Sequence, residues 1–287
     1  MTVRKAALAV LACFTLAAGS ATAAPPDSAL RVMSFNIRYD NPGDGEHAWP
    51  HRMDRVASVV RFHAPDAVGM QEALRHQIDS LAARLPGYAW VGVGRDDGAD
   101  GGEFSPVFYR TDRLELVTHG TFWLSPTPET PGSVGWDAAL PRVATWARFR
   151  DRTTGGTFLF LNTHFDHRGR EAREQSALLV ADRLFAIADG APVIAVGDFN
   201  APPDTPVYAT LTERLADARA AAEIPPHGPE STFFGFTVEP DETGPRLDYV
   251  FTGPGVRVRR FATLTDQWLG RYPSDHLPVF AEIDLHD

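Results

Sequence analysis

The sequence predicts an α/β fold of mixed α+β type, with mixed β-sheets covered by helices. Three observations carry that reading. Strand-like apolar stretches and amphipathic helical stretches mix without the strict alternation of a purely parallel barrel. Several apolar runs stop abruptly in acids, amides or histidines, as PVIAVGDFN does at Asp198 and Asn200. No internal repeat, long charge run or low-complexity linker divides residues 24–287, which therefore read as a single domain.

Taken in order, the chain begins with Arg4 and Lys5, an apolar run from Ala6 to Ala18 and the small-residue triplet Ala21-Thr22-Ala23. That is the three-part pattern of a secretory signal peptide over residues 1–23, and the apolar run is too short to span a bilayer. A secreted or periplasmic location is the expectation. RVMSFNI (31–37) reads as a strand. HRMDRVASVVRFH (51–63) reads as a helix with its apolar face at Val56, Val59, Val60 and His63. PDAVGMQEA (65–73) is a short buried strand, QIDSLAARL (77–85) a helix, and YAWVGVG, SPVFYR and LELVTHGTFWL are strands. The glycine- and aspartate-rich RDDGADGGE between them is expected to be exposed.

SPTPETPGSVGWDAALPR carries four prolines and no periodicity, the signature of a long loop, and long ordered loops often serve function. VATWARFRD and TFLFLNTHF flank TTGG as a hairpin. GREAREQSALLVADRLFAIA is the longest amphipathic helix, and PVIAVGDFN follows as a strand. LDYVF, VRVRRFATL and PVFAEIDL close the chain as strands.

Composition excludes several chemistries. Hydrophobic residues make up 44% and charged residues 22%, enough for a sizeable core and too polar for a membrane-embedded body. The only cysteine, Cys13, and the only lysine, Lys5, both fall in the leader. The mature chain therefore has no disulfide, no cysteine nucleophile, no thiolate metal site and no Schiff-base lysine. Its 25 remaining basic residues are all arginines and face 37 acids, a net charge of −12 with histidine neutral. Such a surface repels long polyanions, so stable bulk binding of nucleic acid is not expected. A monomer without a membrane span is.

The polar strand ends are the candidate site. Asn36, Glu72, His164 with Asp166, and Asp198 with Asn200 each finish an apolar strand; Asp248 opens one, and Ser274-Asp275-His276 precedes the last. A sheet rim holds such groups rigidly while leaving them open to water and substrate. Glu72, Asn36 and Asp275 are hard oxygen donors, a set that suits Mg²⁺ or Mn²⁺ completed by waters and substrate phosphate. Asp198 and Asn200 stand two apart, so in an extended chain they face the same way. The acid is then fit to take a proton from water and the amide to donate to a phosphoryl oxygen. A carboxylate such as Asp248 would orient His276 and keep it protonated, and His164 is a second phosphate donor.

With these residues in view, the chain resembles the endonuclease/exonuclease/phosphatase superfamily, whose fold is DNase I-like. The motifs run in order from FNIR through GMQE, NTHFD, GDFNA and LDYVF to SDHLPV. GRDDGADGGEFSPVFYR and NTHFDHRG look similar to a bacterial exported branch nearer the deadenylase-like members than DNase I. The resemblance implies a four-layer α/β/β/α sandwich of two mixed β-sheets packed face to face with helices outside, and a site at one end.

It also implies roles. Glu72 would be the principal metal ligand, with Asn36 and Asp275 near it. Asp198 would activate the water, Asn200 and His164 would contact phosphate, and His276 with Asp248 would stabilise charge on the phosphoryl group. Many nuclease members carry an acid where this sequence has Arg38, which points away from an abasic-site-endonuclease-like role.

The expected activity is hydrolysis of a phosphomonoester or phosphodiester, possible substrates including a nucleotide or short nucleic-acid end. The alternative is an extracellular endo- or exonuclease. A non-enzymatic binding protein on this scaffold should have lost a metal- or water-activating residue, and none is missing. Arg142, Arg110 and Arg246 are candidate phosphate clamps, because guanidinium groups bind phosphate in a forked manner. Trp136 and the aromatics around Phe234 are candidates to line a pocket.

Overall fold

The computed structural model describes residues 29–237 and 244–285; the leader expected over 1–23 lies outside them. Alternating and continuous apolar runs become two six-stranded sheets. The first has the order β11(Val256–Thr263)-β12(Val279–Leu285)-β1(Leu30–Asn36)-β2(Ala67–Gln71)-β4(Val107–Arg110)-β3(Tyr88–Val91). The second has the order β5(Leu114–Trp123)-β6(Val143–Asp151)-β7(Thr157–His164)-β8(Val193–Asp198)-β10(Asp248–Thr252)-β9(Ala216–Asp217). Each sheet is mixed: β1 and β2 run parallel, as do β7 and β8, and the remaining neighbours are antiparallel.

Three apolar layers hold the sandwich together. Between the sheets lie Val32, Phe149, Phe158, Phe160, Ile194 and Val250 with their neighbours. Outside the first sheet, α1(Trp49–His63) and α2(Arg75–Arg84) bury Val56, Val59, Val60, Ile78 and Leu81. Outside the second, α3(Arg170–Ala188) and α4(Pro206–Thr212) bury Val180, Leu184, Val207 and Leu211, and a short α5(Ala218–Ala221) follows β9. The four-layer α/β/β/α sandwich is therefore present. Among the described residues no helix is long and apolar enough to cross a membrane.

The sheets approach closely where a side chain is missing. A Cβ on Gly69 of β2 would meet the Asn162 side chain and Val196 at 2.5 Å. Into that space Asn162 sends its amide, donating to Met70 O (2.7 Å) and Pro106 O (2.9 Å) and accepting from Gln71 Nε2 (2.6 Å). This polar stitch fixes the register of one sheet on the other.

Two expectations are refined. His63 lies at the edge of the apolar face, its ring 6.0 Å from that of Phe280 while its Nε2 lies 3.0 Å from Asp266 Oδ2. The 95–103 loop is exposed only around its tip, for Arg95 is buried and donates a fork to Glu103 at 2.7 and 2.9 Å. α4 is an addition, whose start is marked by Thr205 as N-cap and Pro206 in the first turn.

Candidate active site

The parallel pairs place four strand ends on one rim. Asn36 ends β1, Glu72 follows β2, His164 ends β7 and Asp198 ends β8. Because β10 and β12 run antiparallel to their neighbours, Asp248 and the Ser274–His276 segment arrive at the same rim by their N-terminal sides. The two sheets thus contribute to one cavity of about 440 Å³, lined by Glu72, Asp198, Asn200, Asp275 and His276 together with Arg38 and His164.

Backbone strain turns three of these side chains inward. Arg38 (φ 57°), Glu72 (φ 62°) and Asn200 (φ 48°) all adopt left-handed backbone just beyond a strand. Non-glycine residues there cost about 1–3 kcal/mol each and persist only where the surroundings hold them. The extended-chain reading of Asp198 and Asn200 is corrected accordingly. Asn200 reaches the cavity because the chain bends after Asp198, whose Oδ1 accepts the Asn200 N–H at 2.9 Å.

Asn36 is the junction of the site. Its Nδ2 donates to Glu72 Oε1 (3.1 Å) and Asp198 Oδ2 (3.0 Å), while its Oδ1 accepts the Arg38 N–H (3.0 Å). The amide therefore bridges two carboxylates through its nitrogen, while its oxygen takes the Arg38 N–H. The second Glu72 oxygen accepts Tyr39 N–H at 3.1 Å. Arg38 forks onto Asp44 (3.0 and 3.1 Å) and lies 3.8 Å from Asp275.

His276 and the two aspartates form the buried heart. His276 Nδ1 lies 2.8 Å from Asp248 Oδ2, and its Nε2 lies 3.7 Å from Asp198 Oδ2. Burial opposes the imidazolium charge, but Asp248 and then Asp198 outweigh it and push the pKa up to about 10. Burial, reinforced by Asp248, pushes Asp198 up to about 7. Asp275 is also raised, chiefly by burial. Phe233 packs on the His276 ring at 4.9 Å and lines the cavity.

His164 and Asn200 hold each other. Asn200 Nδ2 donates to Phe165 O (3.0 Å) and lies 3.0 Å from His164 Nε2, which must accept. Burial first, then Arg142 and Arg95, drive the His164 pKa well below its usual value, so the ring is neutral with its proton on Nδ1. The two expected phosphate contacts are thus paired with each other in this arrangement.

Of the arginines, Arg142 lines the cavity, held by Asp166 (3.4 Å) and His167 (2.9 Å). Arg110 does not: it sits beside Asp66 at the opposite end of β2 and forks onto Asp112 at 3.1 and 2.6 Å. Arg246 is consumed by Asp217 at 2.7 and 2.6 Å. Trp136 is not among the cavity-lining residues, while Phe234 packs on Tyr272.

Sequence reasoning missed Arg52. It is 1% exposed on α1, and all five of its N–H groups point at main-chain carbonyls: His47 (2.8 Å), Ile37, Pro273 (3.1 Å), Arg38 (2.6 Å) and Tyr39 (3.3 Å). Arg52 so ties the segment after β1 to the segment before Asp275. The available signal was an arginine on the helix face that also carries Trp49 and Val56.

A metal fits this rim. The described residues that bring three ligand atoms within 4.8 Å of one another are Asp198, Asp248 and His276. Without a cation, Asp248 and Asp198 hold His276 as the imidazolium, so the trio serves as an acid–base group, and a metal bound there would displace that proton. On the cavity face Glu72 and Asp275 offer carboxylate oxygens, which lie 4.0 and 3.8 Å from the Arg38 guanidinium, so a positive charge is already held between them.

The chain matches the Endonuclease/Exonuclease/phosphatase family over residues 33–276, a span containing every residue of this rim. It belongs to that family. A solved family member from Bacteroides vulgatus is 41% identical, with a TM-score of 0.87 over 90% of this chain and 99% of the other. A mannosyl-6-phosphatase from Bacteroides thetaiotaomicron is 39% identical, with a TM-score of 0.85 over 88% of this chain and 99% of the other. Drosophila melanogaster Nocturnin is 24% identical over 89% of this chain, which spans only 47% of Nocturnin's length.

Proposed function

We propose that the protein is an exported, divalent-metal-dependent phosphoesterase that hydrolyses a small phosphomonoester by in-line attack of a water activated by Asp198. The observation that carries this is one cavity on which the buried Asp198, raised to about 7, the His276–Asp248 pair and the carboxylates of Glu72 and Asp275 converge. An acid poised near neutrality is matched to accepting a proton.

Asp198 accepts a proton from water as the water oxygen bonds to phosphorus and the ester P–O bond breaks, and the departing alkoxide takes a proton from solvent to leave as the alcohol. His276, charged and held by Asp248, donates from Nε2 to a phosphoryl oxygen. Asn200 presents its amide donor once a phosphate displaces the bond to His164, and His164 donates there only when its Nε2 carries a proton. Glu72 and Asp275 would hold Mg²⁺ or Mn²⁺, and such a cation, when bound, stabilises the charge that builds on a phosphoryl oxygen.

A monoester is favoured over nucleic acid by the acidic chain and by the 39% identity to a mannosyl-6-phosphatase, which makes a sugar phosphate the first substrate to try. The test is release of inorganic phosphate from a panel of monoesters with Mg²⁺, set beside bis-p-nitrophenyl phosphate and single- and double-stranded nucleic acid. Turnover of monoesters is expected. Cleavage confined to diesters or nucleic acid would overturn the reading in favour of a nuclease. Export is tested by sequencing the N-terminus of secreted protein, expected to begin after Ala23.

A further inference from the structure

Beside the residues that face a reacting phosphate, the cavity is lined by Glu103, Leu140, Arg142 and His167. A carboxylate opening onto a phosphate site is at first sight misplaced, since it repels the substrate's charge. Glu103 is neutralised by the Arg95 fork at 2.7 and 2.9 Å, which also fixes it in place. Its Oε2 lies 4.0 Å from His164 Nδ1, next to the phosphate end of the cavity. What remains available on Glu103 is a rigid hydrogen-bond acceptor.

His167 supplies the complementary group. An arginine only donates, so the 2.9 Å contact from Arg142 Nη2 makes His167 Nδ1 the acceptor and leaves the ring proton on Nε2. Burial and the Arg142 charge lower the His167 pKa, keeping the ring a neutral donor. Arg142 is itself pinned by Asp166, whose other oxygen accepts the N–H groups of Arg168 (2.9 Å) and Gly169 (2.7 Å) at the start of α3. Leu140 adds an apolar surface, 38% exposed.

One fixed acceptor and one fixed neutral donor on the same cavity, with Arg142 beside His167, suit a polar leaving group and not an apolar one. They match hydroxyls, which donate and accept together. We propose that Glu103 and His167 form a hydroxyl-reading subsite that selects a sugar or similar polyol as the alcohol part of the phosphomonoester. The inference rests on the phosphomonoesterase reading above.

The experiment compares mannose 6-phosphate with p-nitrophenyl phosphate, which carries no hydroxyls on its leaving group, for the wild-type protein, Glu103→Gln and His167→Ala. His167 is exposed, so its truncation leaves the fold intact even if Glu103→Gln disturbs Arg95. The expected result is a wild-type preference for the sugar phosphate that falls at least tenfold in each variant, through a raised KM with little change in kcat. Free mannose should inhibit the wild type more strongly than His167→Ala, while inorganic phosphate inhibits both alike. Hydrolysis of both substrates without a sugar preference, or a preference unmoved in His167→Ala, would overturn the subsite and leave the monoesterase reading standing. No phosphate release from any monoester would overturn both.

Discussion

Asp248 stands directly opposite Asp198 in the antiparallel ladder of β8 and β10. Like charges at one register position repel, and both are fully buried, so the pair persists only with a cation close by. His276 supplies it, 2.8 Å from one acid and 3.7 Å from the other. Proton occupancy in this trio governs how the protein responds to pH, to mutation and to metal.

Activity should rise with pH as Asp198 loses its proton near 7 and fall as His276 loses its own near 10. Raising Mg²⁺ should move the acidic limb to lower pH, because a divalent cation beside the cavity favours the ionised acid. The pH profile of kcat/KM at two Mg²⁺ concentrations checks both; a flat profile across this range contradicts the roles.

Asp248→Asn removes the largest support for the His276 charge. The alkaline limb should drop from about 10 toward the ordinary 6.5, and turnover at neutral pH should fall roughly 10² to 10⁴-fold, as for loss of an acid–base group. Asp198→Ala should lose a similar factor in a protein that stays folded. Near-normal rates in both purified variants would refute the assignment.

Stability of the metal-free protein should decline as pH rises. The folded His276 holds its proton up to about 10 where the unfolded residue releases it near 6.5, so its contribution is complete below 6.5 and lost through 10. Asp198, raised from 3.8 to about 7, is an acid whose folded form also retains the proton, so it lowers stability as pH climbs from 3.8 to about 7. Thermal unfolding in chelator at several pH values measures the slope, and added Mg²⁺ should flatten it.

Arg52→Met takes a donor from five carbonyls, of which only Arg38 O keeps another, Gln77 Nε2, and should destabilise the fold by at least about 3 kcal/mol, since an unsatisfied buried polar group costs about 1–3 kcal/mol. Arg52→Lys should recover only part, because an ammonium offers three donors without the planar fork. Urea denaturation of the two variants separates these outcomes.

Glu72→Gln should raise the Mg²⁺ concentration needed for half-maximal rate, because the amide keeps the size but loses the charge that holds a cation, at some cost in stability where its NH2 meets the Asn36 or Tyr39 donor. A metal titration of the rate shows the shift or its absence.

Most of the fold was legible because the strands carry their own punctuation. The hairpin at 143–165 and the longest helix were readable to within a residue or so, and Asp198, Asp248, Glu72 and His276 stood out as polar endings on apolar runs. What escaped depends on contacts far apart in the chain. Arg52 looks like any helical arginine until Ile37 and Pro273 are folded around it, 15 and 221 positions away. Glu103 sat in a stretch whose glycines and aspartates suggest solvent, and only the Arg95 fork brings it inward. Arg110 and Arg246 show the converse, since no local pattern distinguishes a guanidinium aimed at substrate from one claimed by an aspartate.

The rim draws Asn36, Glu72 and His276 from one half of the sandwich and His164, Asp198 and Asp248 from the other. Neither half alone carries a working fragment of the machinery. Catalysis therefore reports on the docking of the two halves: warming that loosens the seam at Gly69 and Asn162 should silence the enzyme while each sheet still keeps its own hydrogen bonds, so inactivation should run ahead of the loss of β-structure.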